Sequence, residues 1–453
     1  MLALLGFGTI SLFTVLVIAK KMSAAAGLIL VPTAFGLVGG FGTELGDMMV
    51  AGVVETAPTA VMLIFALLYF LVMFECGLFE PFARRIIATV GDDPVKIVVG
   101  TALLVMIAGF DGDGATAVLI TVSAMYPIYR RVGINPLIIA MLLGAICPIL
   151  NWMPWGGPAA RMAISLKIDV SDIVVPMLPT FFISLAASLV FAYVLGRSER
   201  RRLHKHDAEE AEARSEAGPE SASASASASA SASVEKNQSG AHAPRKVIEP
   251  RNFWFNLPLT LTLMVCLGIG FIPLPALVMA AFAIAITVNF PNLQEQQDRL
   301  KPHTGTVVML LTLILAAGAF TGILSESGMV EAMSNNVISV VPESWGGAFA
   351  FVTAVLSIPL LIILSTDSFF LGVVPIFAQT AGAFGVPPEV IARAALIGMP
   401  THSLSPLIAP IYFVATLLRT DIGTLQRFSW PWTFGLSLIA MAGAAATGVI
   451  YAV

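Results

Sequence analysis

Four short polar segments interrupt an otherwise apolar chain, and their residue types suit charged ligands. Phe110 to Thr116 carries Asp111 and Asp113 among glycines, and Ser365 to Ser368 carries Thr366, Asp367 and Ser368. Carboxylates in such a setting either coordinate a hard cation or carry a proton where burial raises their pKa. The third segment, Asn151 to Pro158, sets Trp155, Gly156 and Gly157 between two prolines, with Arg161 just beyond. The fourth, Thr401 to Pro406, places His402 among Thr401, Ser403 and Ser405. A guanidinium is a planar fork matched to carboxylates, and imidazole titrates near neutral pH. We expect substrate binding at Asn151, Trp155, Gly156, Gly157, Arg161, Thr366, Ser368, Thr401, Ser403 and Ser405. Proton or metal coupling is expected at Asp111, Asp113, Asp367 and His402, with the three aspartates as the metal-facing set. Plainer roles compete with these. The aspartates can cap helices, Arg161 can pair with Asp111 or Asp113, and His402 can be a satisfied buried hydrogen bonder.

The elements that must hold these groups are membrane helices. Hydrophobic residues make up 57% of the chain and charged residues 11%, well below the roughly 25% charged content of soluble domains. Apolar runs of about 20 residues, the length that crosses a bilayer core, recur along the chain. No soluble catalytic domain fits in the remainder, no nucleophile and base are paired, and nothing points to nucleic acid. The expected class is therefore a transporter and not an enzyme. Cys76, Cys147 and Cys266 have no metal-ligand spacing and read as small core residues. Met1 to Ala19 is apolar, but Lys20 and Lys21 follow it where a signal peptide would carry charge before it, so it is expected to be an uncleaved first span.

Four prolines recur at one separation: Pro136 with Pro388, Pro148 with Pro400, Pro154 with Pro406 and Pro158 with Pro410, each pair 252 positions apart. Glu75-Cys76-Gly77-Leu78 matches Glu326-Ser327-Gly328-Met329 at a separation of 251. Proline removes a backbone donor and blocks the preceding helical turn. Four in register imply a duplicated chain with a broken helix in each half, a pointer to the substrate site of a secondary transporter. Freed amides at half-helix starts favour carboxylates, and freed carbonyls and hydroxyls suit cations.

Orientation follows from Lys and Arg, which mark cytoplasmic loops. Arg84-Arg85 and Arg130-Arg131 bracket two short arms, so the unit between them is expected to be a re-entrant hairpin. The expected fold is an all-α polytopic membrane protein of two inverted-topology repeats. The first repeat is 1–196, with a hairpin at about 97–128 and a broken helix at about 137–160. A disordered cytoplasmic linker occupies 197–251 and includes the Ser-Ala tract from Ser221 to Ser233, which cannot build a core. The second repeat is 252–453, with a hairpin at about 347–381 and a broken helix at about 388–418. Both termini are expected outside the cell membrane.

The segments Gly39-Gly40-Phe41-Gly42, Asp111-Gly112-Asp113-Gly114, Pro154-Trp155-Gly156-Gly157-Pro158 with Arg161, and Ser365-Thr366-Asp367-Ser368 resemble the citrate-metal:proton symporter family, CitMHS, of the ion transporter superfamily. The resemblance covers both membrane halves and excludes the linker. It implies proton-driven uptake of citrate complexed with a divalent cation of the Mg²⁺ or Ca²⁺ type, with no resident cofactor. It also implies a homodimer in which a transport domain moves against a scaffold in an elevator motion. Another organic anion, such as a dicarboxylate or gluconate, or an oxyanion is the nearest alternative cargo, and an anion channel a remote one.

Overall fold

The computed structural model describes residues 1–19, 21–110, 114–216, 251–269, 272–339, 348–406 and 408–451. Among these there is no strand. The first half runs α1 (Leu2–Ile18), α2 (Ala24–Val38), α3 (Glu44–Glu75), α4 (Glu80–Val90), α5 (Pro94–Ala108), α6 (Gly114–Val132), α7 (Leu137–Leu150), α8 (Gly157–Leu166) and α9 (Val170–Glu216). The second half runs α10 (Phe253–Ile269), α11 (Leu274–Asn289), α12 (Leu293–Leu300), α13 (Thr304–Glu326), α14 (Met329–Ile338), α15 (Phe349–Ile363), α16 (Val374–Gly382), α17 (Pro388–Leu396), α18 (Met399–His402), α19 (Ala409–Leu418) and α20 (Ile422–Ala446). A π-helical stretch, Ser368–Val373, leads into α16.

Helix α8 and helix α19 start and stop in the same register as the paired prolines, and their ends have one shape. Gly156 and Ile408 precede them in extended conformation with ψ of 135° and 134°. Lys167 and Arg419 end them in the left-handed region with φ of 58° and 52°. Gly77 and Gly328 turn the chain after α3 and α13 with φ of 69° and 73°. Pro148 lies in the last turn of α7, and Asn151 to Gly156 leave the helix before Pro158 restarts it at the first turn of α8.

Three stretches are long and apolar enough to cross a membrane: Glu44–Glu75, Val170–Lys205 and Leu293–Glu326. Many apolar helices are shorter, 10–17 residues. Two of the long ones meet through glycine. A Cβ on Gly52 would lie 2.1 Å from the Gly318 carbonyl oxygen, and one on Gly322 would lie 2.3 Å from that of Met48. Backbone therefore touches backbone where α3 crosses α13, the close approach that small residues permit between membrane helices.

The boundary expected at 197 moves. Helix α9 continues to Glu216, and the first part of its basic run is docked. Arg200 donates to both oxygens of Asp93, whose carboxylate also caps α5 by accepting from the Val95 amide. Arg202 donates to the Gly133 carbonyl at 2.6 Å, and Glu199 accepts from the Asn135 amide at 3.0 Å. Residues 199–202 of α9 thus tie the start of α5 to the turn between α6 and α7. The Ser-Ala tract lies outside the described residues.

Candidate functional site

A cavity of about 340 Å³ opens where the two helix breaks face each other. Its walls include Gly114 at the start of α6, Asn151, Gly157, Pro158 and Arg161 at the first break, and Thr366 in the turn before the π-helical stretch. The second break adds His402, Ser403, Ile408 and Pro410, and α20 adds Leu425 and Ser429. That volume is in the range of small-ligand sites, and the lining is apolar with a few convergent polar groups.

Two helix starts end on this cavity without a side-chain cap. Neither Gly156 nor Ile408 offers an oxygen to the first amides of α8 or α19. Unpaired amides at a helix start carry partial positive charge and favour an anion. Gly157 adds a second device: a Cβ there would sit 2.4 Å from Arg161 Nη1, so its absence lets the guanidinium lie along the helix start. Gly156 is required for a different reason. A Cβ would sit 2.0 Å from the Asn151 carbonyl oxygen, so only glycine closes the turn of the first break.

Arg161 Nε donates to Asp367 Oδ1 at 2.5 Å. Both side chains are mostly buried, so this ion pair joins the first break to the tip between α15 and the π-helical stretch. The aspartate expected to face a metal is therefore held by the arginine expected to face the anion. Asp111 and Asp113 lie outside the described residues.

His402 is held from its far side. Its Nδ1 is 2.6 Å from the Leu361 carbonyl oxygen, which can only accept, so Nδ1 carries the proton and Nε2 is the bare nitrogen of the neutral ring. Thr401 shares its hydroxyl proton between Gly398 O at 2.7 Å and Ile358 O at 3.1 Å, and Ser405 donates to Ile362 O at 2.8 Å. Thr401, His402 and Ser405 thus latch the second break onto α15. Of the other expected ligands, Asn151, Gly157, Arg161, Thr366, His402 and Ser403 line the cavity; Trp155, Gly156, Ser368, Thr401 and Ser405 are not in its walls. Trp155 donates its indole N–H to Phe110 O at 2.8 Å and packs on Phe70, fastening the end of α5 to the break. Ser368 is buried against the Ser365 hydroxyl at 2.9 Å. Ser429 was not anticipated. Its only sequence signal is a hydroxyl just before Pro431 in an apolar span.

Among the described residues no three His, Cys, Asp or Glu side chains group as a metal site. Among the described residues, the cavity lining carries one cation, one imidazole and several hydroxyls. Residues 10–398 match the CitMHS citrate transporter family. The chain belongs to the citrate transporter family. A citrate transporter of Bacillus subtilis (strain 168) is 39% identical over 450 residues, covering 99% of this chain and 100% of the relative. The Mg(2+)/citrate complex secondary transporter of the same organism is 40% identical over 442 residues, covering 97% of each. Among solved structures, the Alcanivorax borkumensis YdaH transporter aligns with a TM-score of 0.54 over 90% of this chain and 87% of that one. At 13% identity that likeness concerns the fold. Like others of the citrate transporter family, this is a multi-pass membrane protein and not an enzyme.

Proposed function

We propose that this protein takes up citrate complexed with a divalent cation, driven by protons. The observation that carries the reading is the meeting of two uncapped helix starts and Arg161 on one cavity. A citrate complex with one divalent ion keeps negative charge, which the helix starts and the guanidinium match. The cation arrives already held by citrate oxygens, so the protein need supply few ligands. Asp111 and Asp113, on the segment that enters α6, are the residues we assign to that cation, and a relative named for Mg²⁺/citrate transport favours Mg²⁺. Asp367 takes the guanidinium face that a substrate carboxylate would take, so binding exchanges one carboxylate for another. His402 Nε2 and the released Asp367 are then placed to accept protons.

The mechanism we assign is an elevator: two inverted repeats, with α5 to α8 and α15 to α19 moving as a transport domain past a scaffold containing α3 and α13. The matching ends of α8 and α19 support the repeats, and the short arms Pro94–Ala108, Phe349–Ile363 and Ser368–Gly382 support hairpins. A homodimer in the cell membrane, with outer termini and a cytoplasmic linker, completes the proposal. The test is uptake of radiolabelled citrate into proteoliposomes under an imposed pH gradient, with EDTA, Mg²⁺, Ca²⁺ or heavier divalent ions. The reading requires accumulation that needs both the gradient and a divalent ion. Accumulation that persists in EDTA, or without a pH gradient, contradicts it.

A further inference from the structure

Ser429 lines the cavity, is buried, and its Oγ has no partner among the described residues. Serine in a helix commonly returns its hydroxyl to a carbonyl one turn earlier, as Thr433 does to the Ser429 carbonyl at 3.2 Å. The other cavity serine, Ser403, is satisfied by Pro400 O at 2.9 Å. Leaving a buried hydroxyl unpaired is costly, and a ligand oxygen would recover that cost. Resting on the citrate reading above, we propose that Ser429 determines specificity by pairing with the neutral hydroxyl of a hydroxy-tricarboxylate. Carboxylates are matched by Arg161 and the uncapped helix starts. A hydroxyl both donates and accepts, and α20 brings a hydroxyl and no charge to the cavity.

The test is binding of the Mg²⁺ complexes of citrate and of tricarballylate, which lacks the hydroxyl, to purified wild type, Ser429→Ala and Ser429→Thr. Comparing ligands across variants cancels each ligand's own affinity for the metal. Ser429→Ala weakens citrate about tenfold and leaves tricarballylate unchanged, while Ser429→Thr keeps the preference. Equal losses for both ligands, or no loss for citrate, overturn the assignment. If wild type binds neither ligand, the citrate reading itself fails and takes this assignment with it.

A separate observation concerns the far ends of α8 and α19. Lys167 Nζ lies 2.8 Å from Glu55 of α3 and 3.4 Å from Glu326 at the end of α13. Its counterpart Arg419 has the same left-handed backbone, is exposed, and makes no ion pair among the described residues. The counterpart of Glu326 is Glu75, held instead by His303 at 3.2 Å and Arg299 at 3.7 Å. If the repeats are inverted, the opposite conformation exchanges the roles of the two halves. We infer an alternating latch: Lys167 engages Glu326 in this state, and Arg419 engages Glu75 in the other.

Two double variants test it in protein whose three cysteines are replaced by alanine: Lys167→Cys with Glu326→Cys, and Glu75→Cys with Arg419→Cys. A bifunctional thiol reagent should join the first pair in resting protein. It should join the second only when Mg²⁺-citrate and a pH gradient drive turnover, and either link should stop uptake. Joining of the second pair at rest as readily as the first, its failure to join during turnover, or uptake that survives either link contradicts the latch.

Discussion

The two helix breaks occupy matching positions in the two halves and end on helix starts of the same backbone shape, yet they are held open by different means. The first depends on covalent geometry: Gly156 is wrapped on the Asn151 carbonyl, and Trp155 fastens the turn to Phe110. The second depends on hydrogen bonds, with Thr401, His402 and Ser405 reaching three carbonyls of α15. The first break carries the fixed charge, Arg161, and the second carries the titratable group, His402. The two halves thus share a backbone device for exposing amides and differ in the side chains they set beside it.

Substitution at matched positions breaks the comparison most severely. Gly156→Ala should abolish uptake, since its Cβ meets backbone at 2.0 Å, whereas Ile408→Ala, at the matching extended residue, should retain it. Uptake and thermal unfolding of both purified variants check this. Equal tolerance at both positions would show that the first turn relaxes. Next in size, Thr401→Val and Ser405→Ala each remove one bond to α15 and should lower stability by about 1 kcal/mol. Combined, they should also raise the Mg²⁺-citrate concentration needed for half-maximal uptake, because Ser403 and His402 ride on the same segment.

Proline register and polar breaks revealed the positions of both breaks, because a proline or a membrane carboxylate has few tolerable settings. The range 388–418 holds the three helices α17 to α19, and the range 97–128 falls on α5 and α6, whose hairpin reading remains a proposal. Hydroxyls were harder to assign. Thr401 and Ser405 look as much like ligands as Ser403 does, and only the position of α15, distant along the chain, separates latch from lining. The Arg161 to Asp367 pair joins opposite halves of the chain and left no local pattern. Likewise, the basic run after 197 reads as solvated until Asp93, Gly133 and Asn135 are brought beside it by the fold.

That docked end should matter little to transport and measurably to stability. The Arg200 guanidinium holds the Asp93 carboxyl below the usual carboxylate range. Because the folded value is the lower one, the contribution is complete above the unfolded carboxylate value of about 3.9 and is lost as pH falls through the folded value. Arg200→Ala should therefore cost less than about 1 kcal/mol at neutral pH, and the gap from wild type in thermal unfolding should close in strong acid. Smallest of all, deletion of Ser221 to Ser233 should leave uptake near normal, which proteoliposome transport checks.

The claim that the first break holds the anion is tested most directly by titrating Mg²⁺-citrate into purified wild type and Arg161→Lys. Lysine keeps the charge and loses the planar fork beside α8. The account predicts affinity lower by about tenfold or more, since a charged hydrogen bond is worth about 1.5–3 kcal/mol, with the fold intact by thermal unfolding. Unchanged affinity in a folded Arg161→Lys protein would contradict it and leave Arg161 as a structural partner of Asp367.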